Sequence, residues 1–150
     1  MKIAIACDHG GLTLKNEIVK YLAQNGMEAV DFGTTTYASC DYPDFALKAA
    51  EAVACGECEK GIFICTTGIG ISIAANKVKG IRCALCFDPY VARMTREHND
   101  ANVLALGGGV TGVNLALETV KTFLETPFSE EEKHSRRINK ISQIEEKYMK

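Results

Sequence analysis

The sequence predicts an α/β fold in which a parallel β-sheet carries helices on both of its faces. Strand-like and helix-like segments alternate five times along the 150 residues, which is the pattern of consecutive βα units. The strand-like segments are short and often continuously apolar, as strands covered on both faces are. The chain is also long enough to bury a sizeable core without disulfides, so we predict one domain over residues 1–150.

Five segments are predicted to form the strands, and each is followed by turn residues. They are KIAIAC (2–7), MEAVDF (27–32), KGIFIC (60–65), IRCALC (81–86) and NVLAL (102–106). The intervals are predicted to be helical, over residues 11–25, 43–56, 70–78, 89–98 and 112–125. Apolar residues favour one face of the first helix, which Gly26 ends, and Pro43 and Pro89 suit first helical turns.

A further helix is predicted over residues 129–148, at the end of the chain. Ser129 and Glu132 form an S-x-x-E capping box, which is a common start of a helix. The residues that follow place an apolar stripe along one helix face, at Ile138, Ile141, Ile144 and Tyr148.

The composition argues against several classes of partner. The net charge is −2 and no basic block occurs in the first hundred residues, so no nucleic-acid partner is expected. No apolar run approaches the roughly 20 residues of a membrane span, and the start MKIAIACDHGG is unlike a secretory signal, so no membrane contact is expected. The seven cysteines are an odd number, which favours reduced thiols and a cytoplasmic location.

Polar residues and glycines concentrate directly after the predicted strands. In parallel α/β folds, ligands bind beyond the carboxyl ends of the strands. The residues at those positions are Asp8-His9-Gly10-Gly11, Gly33-Thr34-Thr35, Cys65-Thr66-Thr67-Gly68, Asp88 and Gly107-Gly108-Gly109. The sequence therefore predicts a functional site at this edge of the sheet.

The stretch CTTGIGIS (65–72) joins the third strand to the third helix and carries the richest chemistry. Gly68 and Gly70 allow backbone N–H groups to converge, which suits a phosphate or an oxyanion formed during a reaction. Cys65 stands beside them, and a thiolate there could abstract a proton or act as a nucleophile. The alternative interpretation is a buried cysteine at a tight turn between strand and helix.

Two cofactor interpretations fit the sequence less well. Gly68-x-Gly70 with Asp88 approaches a dinucleotide-binding pattern, but Ile73 stands at the third glycine position. The CxxC pairs Cys55-x2-Cys58 and Cys83-x2-Cys86 are further apart than in zinc ribbons, and the second pair falls within one strand, where positions three apart face opposite sides. Neither a metal nor another cofactor is expected.

Histidines and cations at the ends of predicted elements are further candidates. His9 lies in the first edge loop, and His98 ends the fourth helix. Lys133 and Arg137 are four residues apart on the last helix, where a bound anion would offset their repulsion. The alternative is a solvated face balanced by the glutamates at 130–132.

Four stretches of the chain together resemble the ribose-5-phosphate isomerase B and galactose-6-phosphate isomerase family. They are AIACDHGG (4–11), DYPDFA (41–46), ICTTGIGISIAANKVKGIR (64–82) and REHNDANVLALGGG (96–109). The resemblance implies a Rossmann-like three-layer αβα sandwich with a five-stranded parallel sheet. It also implies a homo-oligomer, a dimer or a tetramer, with the site at a subunit interface and a metal-free interconversion of a phosphorylated aldose and ketose.

The resemblance further implies roles for individual residues. Cys65 matches the base that moves a proton between C1 and C2 of the sugar through a cis-enediolate. The group that holds the enediolate matches Thr67 and the amides of Gly68, Ile69, Gly70, Ile71 and Ser72. The residues that engage the sugar match Asp8, His98 and Asn99, with His98 as the ring-opening group. The phosphate-side positions match His9 and Arg137, and Lys133 is a further substrate-binding candidate.

Three residues depart from the usual pattern of that family. Thr66 stands where glycine is usual, and Gly109 and Lys133 stand where arginines are usual. Arginine is a bidentate anion ligand, so these departures bear on which substrate is bound. The leading interpretation is an isomerase of ribose 5-phosphate and ribulose 5-phosphate. The alternatives are an isomerase of a hexose 6-phosphate, such as allose or galactose 6-phosphate, and a non-catalytic module that binds a phosphosugar or a nucleotide.

Overall fold

A computed structural model describes residues 1–149 of the protein, in which five strands alternate with helices as predicted. The strands are β1 (Lys2–Cys7), β2 (Glu28–Asp31), β3 (Lys60–Cys65), β4 (Cys83–Leu85) and β5 (Val103–Gly107). The helices are α1 (Leu12–Gln24), α2 (Tyr42–Ala54), α3 (Ile69–Ala75), α4 (Pro89–Asn99), α5 (Val113–Glu125) and α6 (Glu132–Tyr148), and a 3₁₀ turn over His9–Gly11 precedes α1. No helix within residues 1–149 combines the length and apolarity needed to cross a membrane.

The five strands form one parallel sheet in the order β2-β1-β3-β5-β4. In the register of the central strand β3, Ile64 pairs with Cys7 of β1, and Cys65 pairs with Gly107 of β5. The carboxyl ends of three adjacent strands therefore meet at one edge. The parallel α/β sandwich predicted from the sequence is confirmed.

Helices cover both faces of the sheet because alternate strand residues point to opposite sides. In β3, Ile62 and Ile64 belong to the apolar cluster formed with α1, α4 and α5. Phe63 and Cys65 belong to the cluster formed with α2 and α3 on the other face. The side chain of Cys65 is thus directed toward the face that carries α3.

The fourth strand is shorter than the predicted segment 81–86. It begins at Cys83, because side-chain amide oxygens, rather than the backbone carbonyls of a neighbouring strand, accept the N–H groups of Arg82 and Cys83. The Arg82 N–H donates to Oδ1 of Asn102 at 2.8 Å, and the Cys83 N–H donates to Oδ1 of Asn76 at 2.8 Å. β4 is consequently a three-residue strand at the edge of the sheet.

The C-terminal helix begins at Glu132, three residues after the predicted start, and the predicted capping box is not formed. Ser129 Oγ donates to the carbonyl of Glu97 in α4 at 2.7 Å, so this hydroxyl does not cap α6. Glu130 takes a left-handed φ of 59°, and the cap residue Glu131 makes no side-chain capping bond. The capping-box prediction was wrong because Ser129 holds the connecting segment onto α4.

A buried lysine ties α1 to the end of β2. Lys15 is 2% exposed, and its Nζ donates to Oδ2 of Asp31 and to the Thr34 carbonyl, both at 2.7 Å. The other oxygen of Asp31 accepts the Gly33 N–H at 2.8 Å. This arrangement holds the start of the loop that connects β2 to α2.

We expect Lys15→Met to destabilise the protein by about 2–4 kcal/mol, because it leaves a carboxylate and a buried carbonyl without their donor. Urea unfolding at a fixed protein concentration measures this loss. Lys20→Met is the matched control on the same helix, since Lys20 pairs with Glu17 at the surface and should contribute less than about 0.5 kcal/mol. Equal losses for the two variants would contradict a buried role for Lys15.

Candidate active site

The carboxyl ends of β1, β3 and β5 form the first part of the candidate site. Asp8 directly follows β1 and is buried. Its Oδ1 accepts the N–H groups of Gly10 at 2.9 Å and Gly11 at 3.2 Å. Its own N–H donates to the carbonyl of Ile64 at 3.3 Å, which fixes the turn against β3. Asp8 therefore lies beside the end of the central strand, as the sequence predicts.

Cys65 ends β3 and receives a backbone hydrogen bond at its sulfur. The Gly68 N–H donates to Sγ at 3.1 Å, and the residue is 5% exposed. Gly68 has a φ of +79°, and a Cβ there would lie 2.5 Å from Leu85 Cδ1. Only glycine therefore suits the turn that directs this N–H at the sulfur. A donor at this distance stabilises negative charge on sulfur.

The amides of residues 68–72 differ in whether they are free to bind an anion. The Gly68 N–H meets Cys65, the Ile69 N–H donates to Thr67 Oγ1 at 3.2 Å, and the Ser72 N–H donates to the Gly68 carbonyl at 3.2 Å. The N–H groups of Gly70 and Ile71 make no hydrogen bond with any residue in 1–149. Two of the five predicted amide donors are thus available at the start of α3.

Two residues that the sequence analysis did not select stand next to predicted site residues. The ring of Tyr42 lies against Gly70, where an added Cβ would be 2.6 Å from Cζ. The N–H of Cys40 donates to Nδ1 of His9 at 3.3 Å. The position of Tyr42 within DYPDFA was a signal for the first contact, but no pattern in the sequence indicates the second.

His98 and Asn99 lie at the opposite edge of the sheet. Helix α4 starts directly after β4 and runs back, so its last residues reach the amino ends of the strands. The Asn99 carbonyl accepts a bond from Arg82 Nε at 2.9 Å, just before β4. The Asn102 carbonyl accepts the N–H of Gly61, near the start of β3. Five residue steps along β3 separate this edge from Cys65, a distance of about 16 Å.

The candidate cations of α6 accompany His98 at that opposite edge. The ring of His134 stacks on the ring of His98, with centroids 4.3 Å apart and planes inclined by 17°. Lys133 next to it pairs with Glu131 at 3.0 Å, and Arg137 one turn later is exposed. The predicted site residues therefore form two separate groups within one chain. His134 is not among the site residues predicted from the sequence.

A cavity of about 480 Å³ also lies at this opposite edge, between β4, α4 and α6. Asn99 and Arg82 contribute polar atoms to its wall, and Ile144 and Tyr148 of α6 contribute apolar surface. Cys65 does not line it. The cavity is thus lined by three of the four residues of the apolar stripe predicted on the last helix, Ile141, Ile144 and Tyr148.

The stacked pair of histidines has a consequence for the pH dependence of stability. Burial lowers the pKa of His134 from its usual 6.5, and the neighbouring His98, Lys133 and Arg137 lower it further, against the opposing effect of Glu131. The folded protein therefore binds fewer protons at this site than the unfolded chain does. The contribution of His134 to the free energy of unfolding is complete at pH values above the pKa that this histidine has in the unfolded chain. It is lost as the pH falls below that pKa.

We expect the unfolding temperature to fall between about pH 7.5 and about pH 5.5, and to fall less in His134→Phe. Phenylalanine keeps a ring against His98 but does not titrate. Thermal unfolding of both proteins across this range, without ligand, measures the difference. The same pH slope in both proteins would contradict the assignment.

Burial raises the pKa of four cysteine thiols of the chain. Burial raises the pKa of Cys7 and of Cys86 to about 12, and it raises the pKa of Cys83 further still. Burial also raises the pKa of Cys58. Across residues 1–149, no three histidine, cysteine or acidic side chains are grouped so that they could hold a metal ion.

Comparison with known proteins identifies the family of the chain. The family model described as Ribose/Galactose Isomerase matches residues 3–141. The chain belongs to the ribose/galactose isomerase family. Within this family it is 48% identical to ribose-5-phosphate isomerase B of Escherichia coli over 146 residues, which cover 97% of each chain. It is 41% identical to the galactose-6-phosphate isomerase subunit LacB of Clostridium acetobutylicum, covering 96% of this chain and 83% of LacB.

Solved structures from the ribose/galactose isomerase family share the whole fold. The ribose-5-phosphate isomerase B of Clostridium thermocellum superposes with a TM-score of 0.97 at 58% identity, and 99% of each chain is covered. The five-stranded sheet and all of its helices are therefore common to this chain and that enzyme. The resemblance noted from the sequence motifs is confirmed.

Proposed function

We propose that this chain interconverts ribose 5-phosphate and ribulose 5-phosphate, with Cys65 as the base. One observation carries the proposal: the Gly68 N–H donates to Cys65 Sγ at 3.1 Å, beside the unpaired N–H groups of Gly70 and Ile71. A sulfur that can bear negative charge thus adjoins donors for a second negative charge. This pairing is what proton transfer next to a carbonyl requires.

The reaction would proceed by two proton transfers at one sulfur. The Cys65 thiolate takes the proton from C2 of the open-chain aldose, and the electron pair of that bond forms the C1–C2 double bond of the enediolate. The N–H groups of Gly70 and Ile71, with the Thr67 hydroxyl, hold the negative oxygen. The protonated sulfur then returns the proton to C1. The hydroxyl proton moves from the C2 oxygen to the C1 oxygen, so that the C2 oxygen becomes a carbonyl and the C1 oxygen a hydroxyl, and Asp8 orients a sugar hydroxyl.

The remaining site residues would come from a second copy of the chain. His98 lies about 16 Å from Cys65 along the strand direction, so it does not reach the same sugar within one chain. We propose a twofold dimer in which His98 and Asn99 of one chain complete the site of the other, with His98 opening the sugar ring. Lys133 and Arg137 would arrive with them and bind the phosphate together with His9.

A hexose 6-phosphate is the alternative substrate. The chain is 41% identical to a galactose-6-phosphate isomerase subunit, whose name indicates a longer sugar phosphate as substrate. This identity supports a hexose 6-phosphate as the alternative. Lys133 also supplies a single point charge rather than the bidentate group of an arginine. We place the activity in the cytoplasm, because all seven cysteines are free thiols, as in a reducing compartment.

Turnover across a panel of aldose phosphates tests the proposal. We expect the highest kcat/KM with ribose 5-phosphate and lower values with allose 6-phosphate and galactose 6-phosphate. A protein that binds these sugars without converting any of them would be the non-catalytic module instead. A preference for a hexose 6-phosphate would assign the alternative substrate.

A further inference from the structure

The residue that follows the proposed base has a fixed backbone and an exposed side chain. The carbonyls of Cys65 and Thr66 both accept backbone hydrogen bonds from the loop after β5. Cys65 O accepts the Gly108 N–H at 2.8 Å, and Thr66 O accepts the Gly109 N–H at 2.9 Å. The side chain of Thr66 is exposed at the same edge as Cys65. Its position beside the base is therefore set by the sheet and not by a mobile loop.

This side chain fills the gap between two loops. A Cβ added at Gly10, after β1, would lie 2.0 Å from Thr66 Oγ1, and one added at Gly109, after β5, would lie 3.0 Å from Thr66 Cγ2. A Cβ at Gly112, further along the β5 loop, would meet nothing within 4 Å. Both loops thus carry glycine where they face Thr66, whose methyl and hydroxyl groups occupy the space between them.

We propose that Thr66 determines the length of the sugar phosphate that this site accepts, favouring pentose 5-phosphates over hexose 6-phosphates. This inference rests on the proposed function, which places C1 and C2 at Cys65 and the phosphate beside His9. His9 directly precedes Gly10, and a Cβ built at Gly10 would lie 2.0 Å from Thr66 Oγ1, so we place Thr66 between the reacting carbons and the phosphate. A hexose phosphate exceeds a pentose phosphate by one CHOH group, and the CH(OH)CH₃ side chain of Thr66 is at least that large.

A series of variants at position 66 tests this inference by a ratio of activities. The ratio compares kcat/KM for allose 6-phosphate with kcat/KM for ribose 5-phosphate. We expect it to rise from wild type through Thr66→Ala to Thr66→Gly, by about tenfold or more at glycine. Thr66→Val is the matched control, because it keeps the shape but not the hydroxyl, and it should leave the ratio within about twofold of wild type.

The outcomes separate the inference from the proposed function. A wild-type protein that converts no sugar phosphate rejects the proposed function itself. A wild-type protein that converts ribose 5-phosphate, with an unchanged ratio in Thr66→Gly, overturns only the role of Thr66. A ratio raised as much in Thr66→Val as in Thr66→Gly also overturns it, since the hydroxyl and not the size would then be responsible.

A second measurement tests the filled gap without any substrate. We expect Gly10→Ala to lower the unfolding temperature by about 4 °C or more in the wild-type background, where the new Cβ meets Thr66 Oγ1. The loss should be smaller in the Thr66→Gly background. Gly112→Ala is the control and should have the same effect in both backgrounds. Equal losses for Gly10→Ala in both backgrounds would overturn the inference.

Discussion

Replacing Cys65 by alanine is expected to lower kcat for ribose 5-phosphate by about a thousandfold or more. A positioned base accelerates such proton transfers by about 10²–10⁴-fold. The N–H groups proposed to stabilise the enediolate, at Gly70 and Ile71, cannot contribute when no proton is removed to form it. The rate of ribulose 5-phosphate formation measures the loss. Exchange of the C2 hydrogen with deuterated solvent measures the same step directly, and it should fall in parallel.

Two further variants identify the role of the sulfur. Cys55→Ala is the matched control, because Cys55 is an exposed thiol whose Sγ donates to the Ala52 carbonyl at 3.6 Å, and it should leave kcat unchanged. Cys65→Ser keeps a hydrogen-bonding side chain but replaces the thiol by a far weaker acid, so it should be nearly as inactive as Cys65→Ala. Activity above about a tenth of wild type in Cys65→Ala would mean that another group is the base.

Mixing two inactive variants is expected to restore activity if each site draws on two chains. Cys65→Ala and His98→Ala damage opposite edges of the sheet. In an equal mixture refolded together, about half of the dimers are mixed, and one of the two sites in each then contains both wild-type residues. The activity of the mixture should therefore approach about one quarter of the wild-type value. Each variant alone should be at least about tenfold less active than the mixture.

The control for this experiment pairs two variants of the same edge. Cys65→Ala mixed with Asp8→Ala gives no site that contains both wild-type residues, because both residues come from the same chain in every site. This mixture should stay inactive after the same refolding. Equal recovery in the two mixtures, or none in the first, would contradict the shared site.

The alternation of apolar segments was sufficient to predict the sheet, since burial on both faces leaves a strong signal in strands such as KGIFIC. The short edge strand and the start of the last helix were harder, because side chains decide them. Asn76 and Asn102 replace strand carbonyls before β4, and Ser129 bonds to Glu97 instead of capping α6. These partners lie 7, 20 and 32 residues apart in sequence, beyond the reach of helix and strand periodicity.

The sequence provided candidate residues for the site and, through the family resemblance, an expected site at a subunit interface. The motifs indicate Cys65, Asp8 and His98 together, but they do not show which edge of the sheet each residue occupies within one chain. The direction of α4 places His98 at the other edge, and this follows from topology once the fold is known. Which amides remain free also depended on atomic contacts, such as the bond from Ile69 to Thr67.

The contact of Thr66 with two glycines has an evolutionary consequence. A side chain acquired at Gly10 while threonine occupies position 66 would bring its Cβ to 2.0 Å from Thr66 Oγ1, so the threonine side chain would have to shift or be replaced. Changes at these two positions should therefore be coupled rather than independent.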